Sequence, residues 1–365
     1  MLPAGSHRNK GFTRTVSEEI ENRPKPRSRR KYILLLSAVV VVFVAWTAFW
    51  FYGRSVLADQ LDVQLARLGD NGIDISCSDL SIAGYPFRYE VACRDMISAD
   101  RTGATGTVGA LNAVALIYNP WHVIFEAKSP AAVDLPLNGL AADVNFETAR
   151  ASVKFSQNRL NELDAVIVKP EASFENPFTS ALMGAEKTEV HLRSMPDGPE
   201  TLEGYLAVNA LKLRSLPVFD KAVDLTMQLQ LPGGADLLRG APLPALVMAA
   251  DGALPVRLVL LEALLGHSRV AASGDLIVNG DGTLSGKVDL MLGNAAALLA
   301  DIKPLLPKRD NTAQLLESIV TSLDANATEV DGRRTITLPM VIERGAARIG
   351  FLPLGRLPPL FQTGV

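Results

Sequence analysis

The sequence predicts an α+β, β-rich protein: an N-terminal transmembrane helix, then an extended, mostly antiparallel sheet with a few packed amphipathic helices near the C-terminus. Three observations carry this. Residues 32–53 contain no Asp, Glu, Lys, Arg or His and are apolar almost throughout. Downstream, apolar residues recur with period two, as in Phe87, Tyr89, Val91 and Cys93, or Val223, Leu225, Met227, Leu229 and Leu231, which is the signature of half-buried strands. Regular alternation of strand and helix is missing, which argues against a doubly wound sheet.

Taken in order, residues 1–31 carry nine Lys or Arg against three acids, with Pro24 and Pro26 and little to bury. They read as a basic, disordered cytoplasmic tail. Residues 32–53 are long enough to span about 30 Å of hydrocarbon at 1.5 Å per residue. Arg29, Arg30 and Lys31 sit at one end and Trp46, Phe49, Trp50, Phe51 and Tyr52 at the other, so the basic end is expected in the cytoplasm and the bulk of the chain across the membrane, in the periplasm of a bacterium. A cleaved signal peptide is the rival, with Ala58 near a cut site; the length of the run and its bulky end favour an uncleaved anchor.

Residues 54–72 continue as an amphipathic stalk helix, with Val56, Leu57, Leu61, Leu65 and Leu68 at helical spacing before Gly69-Asp70-Asn71-Gly72. Residues 73–365 form a β-rich domain, with subdomain joints expected near 194–200 or 231–245. Asn279-Gly280-Asp281-Gly282 predicts a hairpin. Two late helices are expected: one capped by Asn294 and ended by Pro304, the other starting at Asn311 or Thr312.

Cys77 and Cys93 flank Gly84-Tyr85-Pro86. A turn centred near Tyr85 places them opposite each other, on the face of Ile75, Phe87 and Val91, within reach of a disulfide in an oxidising compartment. The alternative is two buried thiols.

The 365 residues are 48% hydrophobic with a net charge of −3, which excludes a mostly disordered chain and a strongly basic nucleic-acid binder. Two cysteines and four scattered histidines (His7, His122, His191, His267) offer no metal site. His122 is expected to point away from Trp121. No nucleophile elbow, phosphate loop or His-Glu-x-x-His is present, so no catalytic, cofactor or metal residue is nominated. Gly103–Gly109 reads as a turn, and Asp281 with Asp289 as ordinary surface acids. The 279–288 stretch departs from a calcium loop at Ile277 and Val288.

Gly84-Tyr85-Pro86-Phe87-Arg88, behind a basic tail and an aromatic-ended span, resembles a family of inner-membrane-anchored proteins numbered twenty-one twenty-five among the domains of unknown function. Ser273–Gly286 and the ending Gly350–Leu360 extend the likeness over most of residues 28–361. The resemblance implies the anchored architecture and no catalytic residue. Phe87 is expected to start the buried face, and Arg88 to pair with a structural acid or, alternatively, to bind a carboxylate or phosphate.

The expected function is non-enzymatic: an envelope protein presenting a sheet face, with Val223, Leu225, Met227 and Leu229 as the candidate apolar surface, to lipid or another hydrophobic ligand. A structural scaffold with a sealed core is the alternative, and a hydrolase using scattered acids the third.

Overall fold

Arg29 to Tyr52 contains neither Gly nor Pro, and the chain is helical from Arg29 to Asp70 as α1. The computed structural model describes residues 29–361 apart from 137–138, 157–158, 177–178, 217, 306–311, 326 and 331. The expected basic tail up to Ser28, and the helix start at Asn311, lie outside the described residues. Contacts divide the chain into two units, before and after the Tyr52–Gly53 bond. In the first, side chains 32–44 are all exposed, so this is no core helix, and it is long and apolar enough to cross a membrane. In the second, α1 ends where Gly72 adopts φ 87° and donates to Gly69 O, a left-handed C-terminal stop that costs glycine little.

The rest is one long antiparallel sheet. β1 (Ile73–Cys77) and β2 (Ser81–Ala83) both pair with β3 (Arg88–Asp100). β4 (Thr105–Leu116) and β5 (Asn119–Leu135) follow in turn. Next come β6 (Leu140–Asn145) with β7 (Thr148–Ser156), β8 (Arg159–Val168) with β9 (Glu171–Asn176), and β10 (Thr179–Gly184) with β11 (Lys187–Met195). β12 (Gly198–Leu213) and β13 (Val223–Leu231) lead through α2 (Leu243–Ala249) to β14 (Ala253–Leu265), β15 (Ser268–Asn279) and β16 (Leu284–Gly293). α3 (Ala295–Ile302) and α4 (Thr312–Asp324) precede β17 (Thr328–Val330), β18 (Arg333–Glu343), β19 (Ala346–Ile349) and β20 (Leu352–Arg356).

Several of these strands are halves of longer ones. β6 and β7 meet β9 and β8 in a single continuous register, as do β9 and β8 with β10 and β11, so each pair is one strand broken by two residues. The breaks line up into a crease. It crosses Ser78–Leu80, Asp95 (φ 48°), Gly109, Ser129-Pro130, Phe146-Glu147, Lys169-Pro170, Ala185-Glu186 and Ala210 (φ 52°). Hydrogen bonds carry the sheet across it: Glu147 N to Val168 O at 3.0 Å, Lys169 N to Glu186 O at 2.9 Å, Glu186 N to Asn209 O at 3.0 Å, and Ala210 N to Asp224 Oδ1 at 2.7 Å. The backbone groups freed by the bends are thereby satisfied.

Cys77 and Cys93 are joined by a disulfide at one end of the crease, with Cα atoms 5.6 Å apart. The bond was expected but its register was not. The hairpin is centred between Pro86 and Phe87, so Cys77 opposes Met96 and Cys93 opposes Leu111. The bridge spans the irregular step made by Ser78–Leu80 and Asp95 rather than a cross-strand pair. Phe87 also departs from expectation: it is 62% exposed, at the turn rather than on a buried face. Asn294 precedes α3 but makes no side-chain cap; its φ is 53° and its amide donates instead to His267 O. Phe351 lies in the β19–β20 turn.

The main core sits where α2 and the 3-10 turn Gly234–Arg239 fold over the sheet. Leu202, Leu231, Leu238, Leu246, Val247, Leu254 and Val278 bury one another there. The 231–245 segment is therefore core-forming, and residues 194–200 make the β11–β12 hairpin. Leu254 is 2% exposed, and Leu254→Ala is expected to lower stability by about 2–5 kcal/mol through lost burial and a residual cavity, read as a drop in the urea midpoint at unchanged slope.

Candidate functional site

Directly paired residues of an antiparallel ladder share a face, so the registers let one face be followed strand by strand. From Val91 on β3 the neighbours are Ala113, Phe125, Ala151, Ala165 and Val190. Onward from β11 come Leu206, Met227, Leu261, Ala272, Leu290 and Leu338. The flanking row from Cys93 to Ile336 is apolar except for Thr188, and the row from Tyr89 to Met340 contains no polar group but the Tyr89 hydroxyl. Three rows thus cross twelve strands without a charge.

The lane keeps its face through one bulge, on β14, and a second lies at its edge on β12. Val208 to Leu211 on β12 and Leu258 to Leu261 on β14 each absorb an extra residue, without which the alternation beyond them would invert. Lateral packing is tight in places: Ala272 and Val288 are buried against Leu258, Leu290 and Met340. Leu225, Met227 and Leu229 are half-buried, while Leu261 is 44% exposed. The cover lies along one margin, where α2 and its preceding turn pack over Leu202, Leu231 and Leu254, next to Leu192. α3 touches β15 and β18, and α4 touches β18. Chemically the lane offers dispersion and water exclusion, and no directed hydrogen bonds along its central row.

The opposite face is ionic. Lys154 Nζ donates to Glu162 at 2.8 Å, His191 Nδ1 lies 2.6 Å from Asp164 Oδ1, and Arg193 Nε donates to Glu203 Oε2 at 2.7 Å. Glu162, Asp164, His191, Arg193, Glu203, Tyr205 and Gln228 line a cleft of about 250 Å³. Burial pushes the Asp164 carboxyl up, but the hydrogen bonds with His191 and Glu162 outweigh it and hold it below the usual range. The hydrogen bond to Glu162 raises Lys154. A His–Asp pair is half of an acid–base apparatus; the lining holds no Ser, Thr or Cys to complete it. Among the described residues no cluster of three His, Cys, Asp or Glu could hold a metal.

The predicted residues fall in different places. Leu225, Met227 and Leu229 lie in the lane, and Val223 one row beyond it, opposite Leu211 and Leu265. Gly84, Tyr85, Pro86, Phe87 and Arg88 form the turn before β3, closed by Arg88 N donating to Gly84 O at 3.2 Å. Gly84 has φ 102°, the conformation that calls for glycine. Arg88 pairs with Glu90 at 3.0 Å, a structural acid. His122 Nε2 sits 2.8 Å from Ser152 Oγ, and Asp281 accepts from Thr283 inside the hairpin turn. The His191–Asp164 pair escaped the sequence reading because its members are 27 residues apart and meet only through the β8–β11 register.

A family model described as "Uncharacterized protein conserved in bacteria (DUF2125)" matches residues 50–358. No curated protein matches the chain.

The hydrogen bond from Arg193 holds the Glu203 carboxyl below its ordinary value of 4.5, against the opposing effect of burial and with help from Gln228. Because the folded value is the lower one, this acid stabilises the fold fully above about pH 4.5 and loses that contribution as the pH falls through the folded value. Glu203→Gln is expected to cost about 1–3 kcal/mol at pH 7 and to flatten the acid limb of a stability-against-pH curve. An unchanged acid limb would show that the charge contributes nothing.

Proposed function

This chain belongs to the DUF2125 family of bacterial proteins, and we propose that it is a single-pass inner-membrane protein whose periplasmic sheet presents an uncharged lane to lipid acyl chains. The observation that carries the reading is the run of three uncharged rows over twelve strands, set against a back face bearing the ion pairs. A charge-free strip of this length, half-buried at Leu225, Met227 and Leu229 and 44% exposed at Leu261, suits contact with another apolar molecule. A sealed scaffold is the second reading; against it, Leu261 in the middle row stays 44% exposed although α2 covers one margin and α3 and α4 touch β15 and β18.

The location rests on separate support. Basic residues gather before the span and aromatic ones at its far end, which favours a cytoplasmic N-terminus. The Cys77–Cys93 disulfide suits an oxidising compartment. A phosphatase that folds only outside the cytosol, fused after Val365, should be active; activity only for a cytosolic reporter at that position would reverse the orientation.

Lipid binding is tested on the full chain, held in a lipid-free amphipathic polymer, by titration with a fluorophore-tagged diacyl phospholipid. Met227→Glu, which places a charge in the middle row, should weaken binding at least tenfold, about 1.4 kcal/mol. Thr337→Glu, exposed on the opposite face beside lane residue Leu338, should bind as the parent does. Equal affinity in all three proteins would end the proposal.

A further inference from the structure

Resting on that reading, we infer that the lane is a conduit rather than a pocket, loaded with diacyl lipid at β3 and running across the strands toward β18. Three observations carry this, of which the second sets the direction.

The lane is much longer than one lipid. Twelve strands make eleven spacings, which at about 4.8 Å each is roughly 50 Å. One leaflet of a bilayer is roughly 15 Å of hydrocarbon, half of the 30 Å core. A pocket for a single ligand would be closed by polar or bulky residues after one such length. Here Val91 and Leu338, at opposite ends of the middle row, are joined by apolar residues at every intervening strand. The three rows, two residues apart along each strand, span roughly 13 Å, room for two chains side by side.

The β3 end is fastened to the residues at which the apolar run of the sequence stops. Arg54 Nε donates to Ile82 O on β2 at 3.0 Å. Gly53 lies so close to Tyr89, the lane's first residue in its row, that a Cβ there would collide with the phenol hydroxyl. Burial raises the Tyr89 phenol above its ordinary value. Gly53 and Arg54 are the residues with which the chain leaves the apolar run, so the strands they touch, β3 and β2, are the ones joined in sequence to a segment that would bring acyl chains within reach.

The occupant must be uncharged along its length yet tolerate polar surroundings at its sides. The back face carries the ion pairs, and one margin is roofed by Leu238, Leu246 and Val247. Acyl chains, uncharged along their whole length and with their headgroups left toward water, match three rows that carry no charge over twelve strands.

The experiment places a photoreactive benzoylphenylalanine at Val91 or at Leu338 of the full chain in its native membrane, and reads adducts by intact-protein mass spectrometry. Met227→Cys supplies the only free thiol, since Cys77 and Cys93 are bonded to each other. A sulfonate-bearing thiol reagent attached there after folding puts a charge halfway along without asking the chain to fold around it. Lipid adducts are expected at both positions before modification. Afterwards the Leu338 adduct should fall at least tenfold while the Val91 adduct persists. An undiminished Leu338 adduct, loss at Val91 alone, or equal loss at both would overturn loading from β3 while leaving lipid binding intact. Adducts to protein in place of lipid, or none at either position of the unmodified chain, would overturn the lipid reading as well.

Discussion

The backbone ladder is the constraint on which the rest depends. Each strand is paired to its neighbour in a defined register, and side chains alternate faces with a period of two, so a slip of one residue in any strand would turn its charged row into the lane and its apolar row into water. The penalty for such a slip scales with the number of side chains inverted, which is why long strands such as β4, β5, β12 and β14 hold the pattern firmly. Where alternation in the sequence does break, the strand bulges, and the faces are recovered on the far side.

The crease works by the same logic at larger scale. Eight neighbouring strand positions bend along one line, and at most of them the residue concerned is one that tolerates or enforces a bend: Gly109, Pro130, Pro170, or a residue in the left-handed region such as Asp95, Lys169 and Ala210. Bends in adjacent strands must coincide, because a straight strand beside a bent one loses its hydrogen bonds. The disulfide lies where this line meets the strand β1–β2, whose outer edge has no further strand among those paired with it. A covalent link there constrains the unfolded chain and holds two short strands that have little burial of their own.

The division of labour between the faces follows. The ionic face carries mostly exposed pairs worth little individually, the largely buried Glu203 carboxylate held by Arg193 being the exception. On the apolar face α2 packs along one margin and adds the main buried core at the same stroke, while α3 and α4 touch β15 and β18.

How much was legible in the residues differs from element to element. Residues 32–53, the hairpin at Asn279–Gly282 and the strand Val223–Leu231 announce themselves locally, because span length, turn chemistry and period two are properties of short stretches. So the sequence by itself determined that the chain has one long apolar helix, a mostly antiparallel sheet and an apolar face on β13. Only the tertiary structure decided that this face is one of twelve in line, that Cys77 meets Cys93 across a step rather than a rung, and that Asp164 and His191 form a pair. Those facts rest on registers between segments tens of residues apart, and a register is settled by the summed pairing of whole strands, which no local pattern encodes.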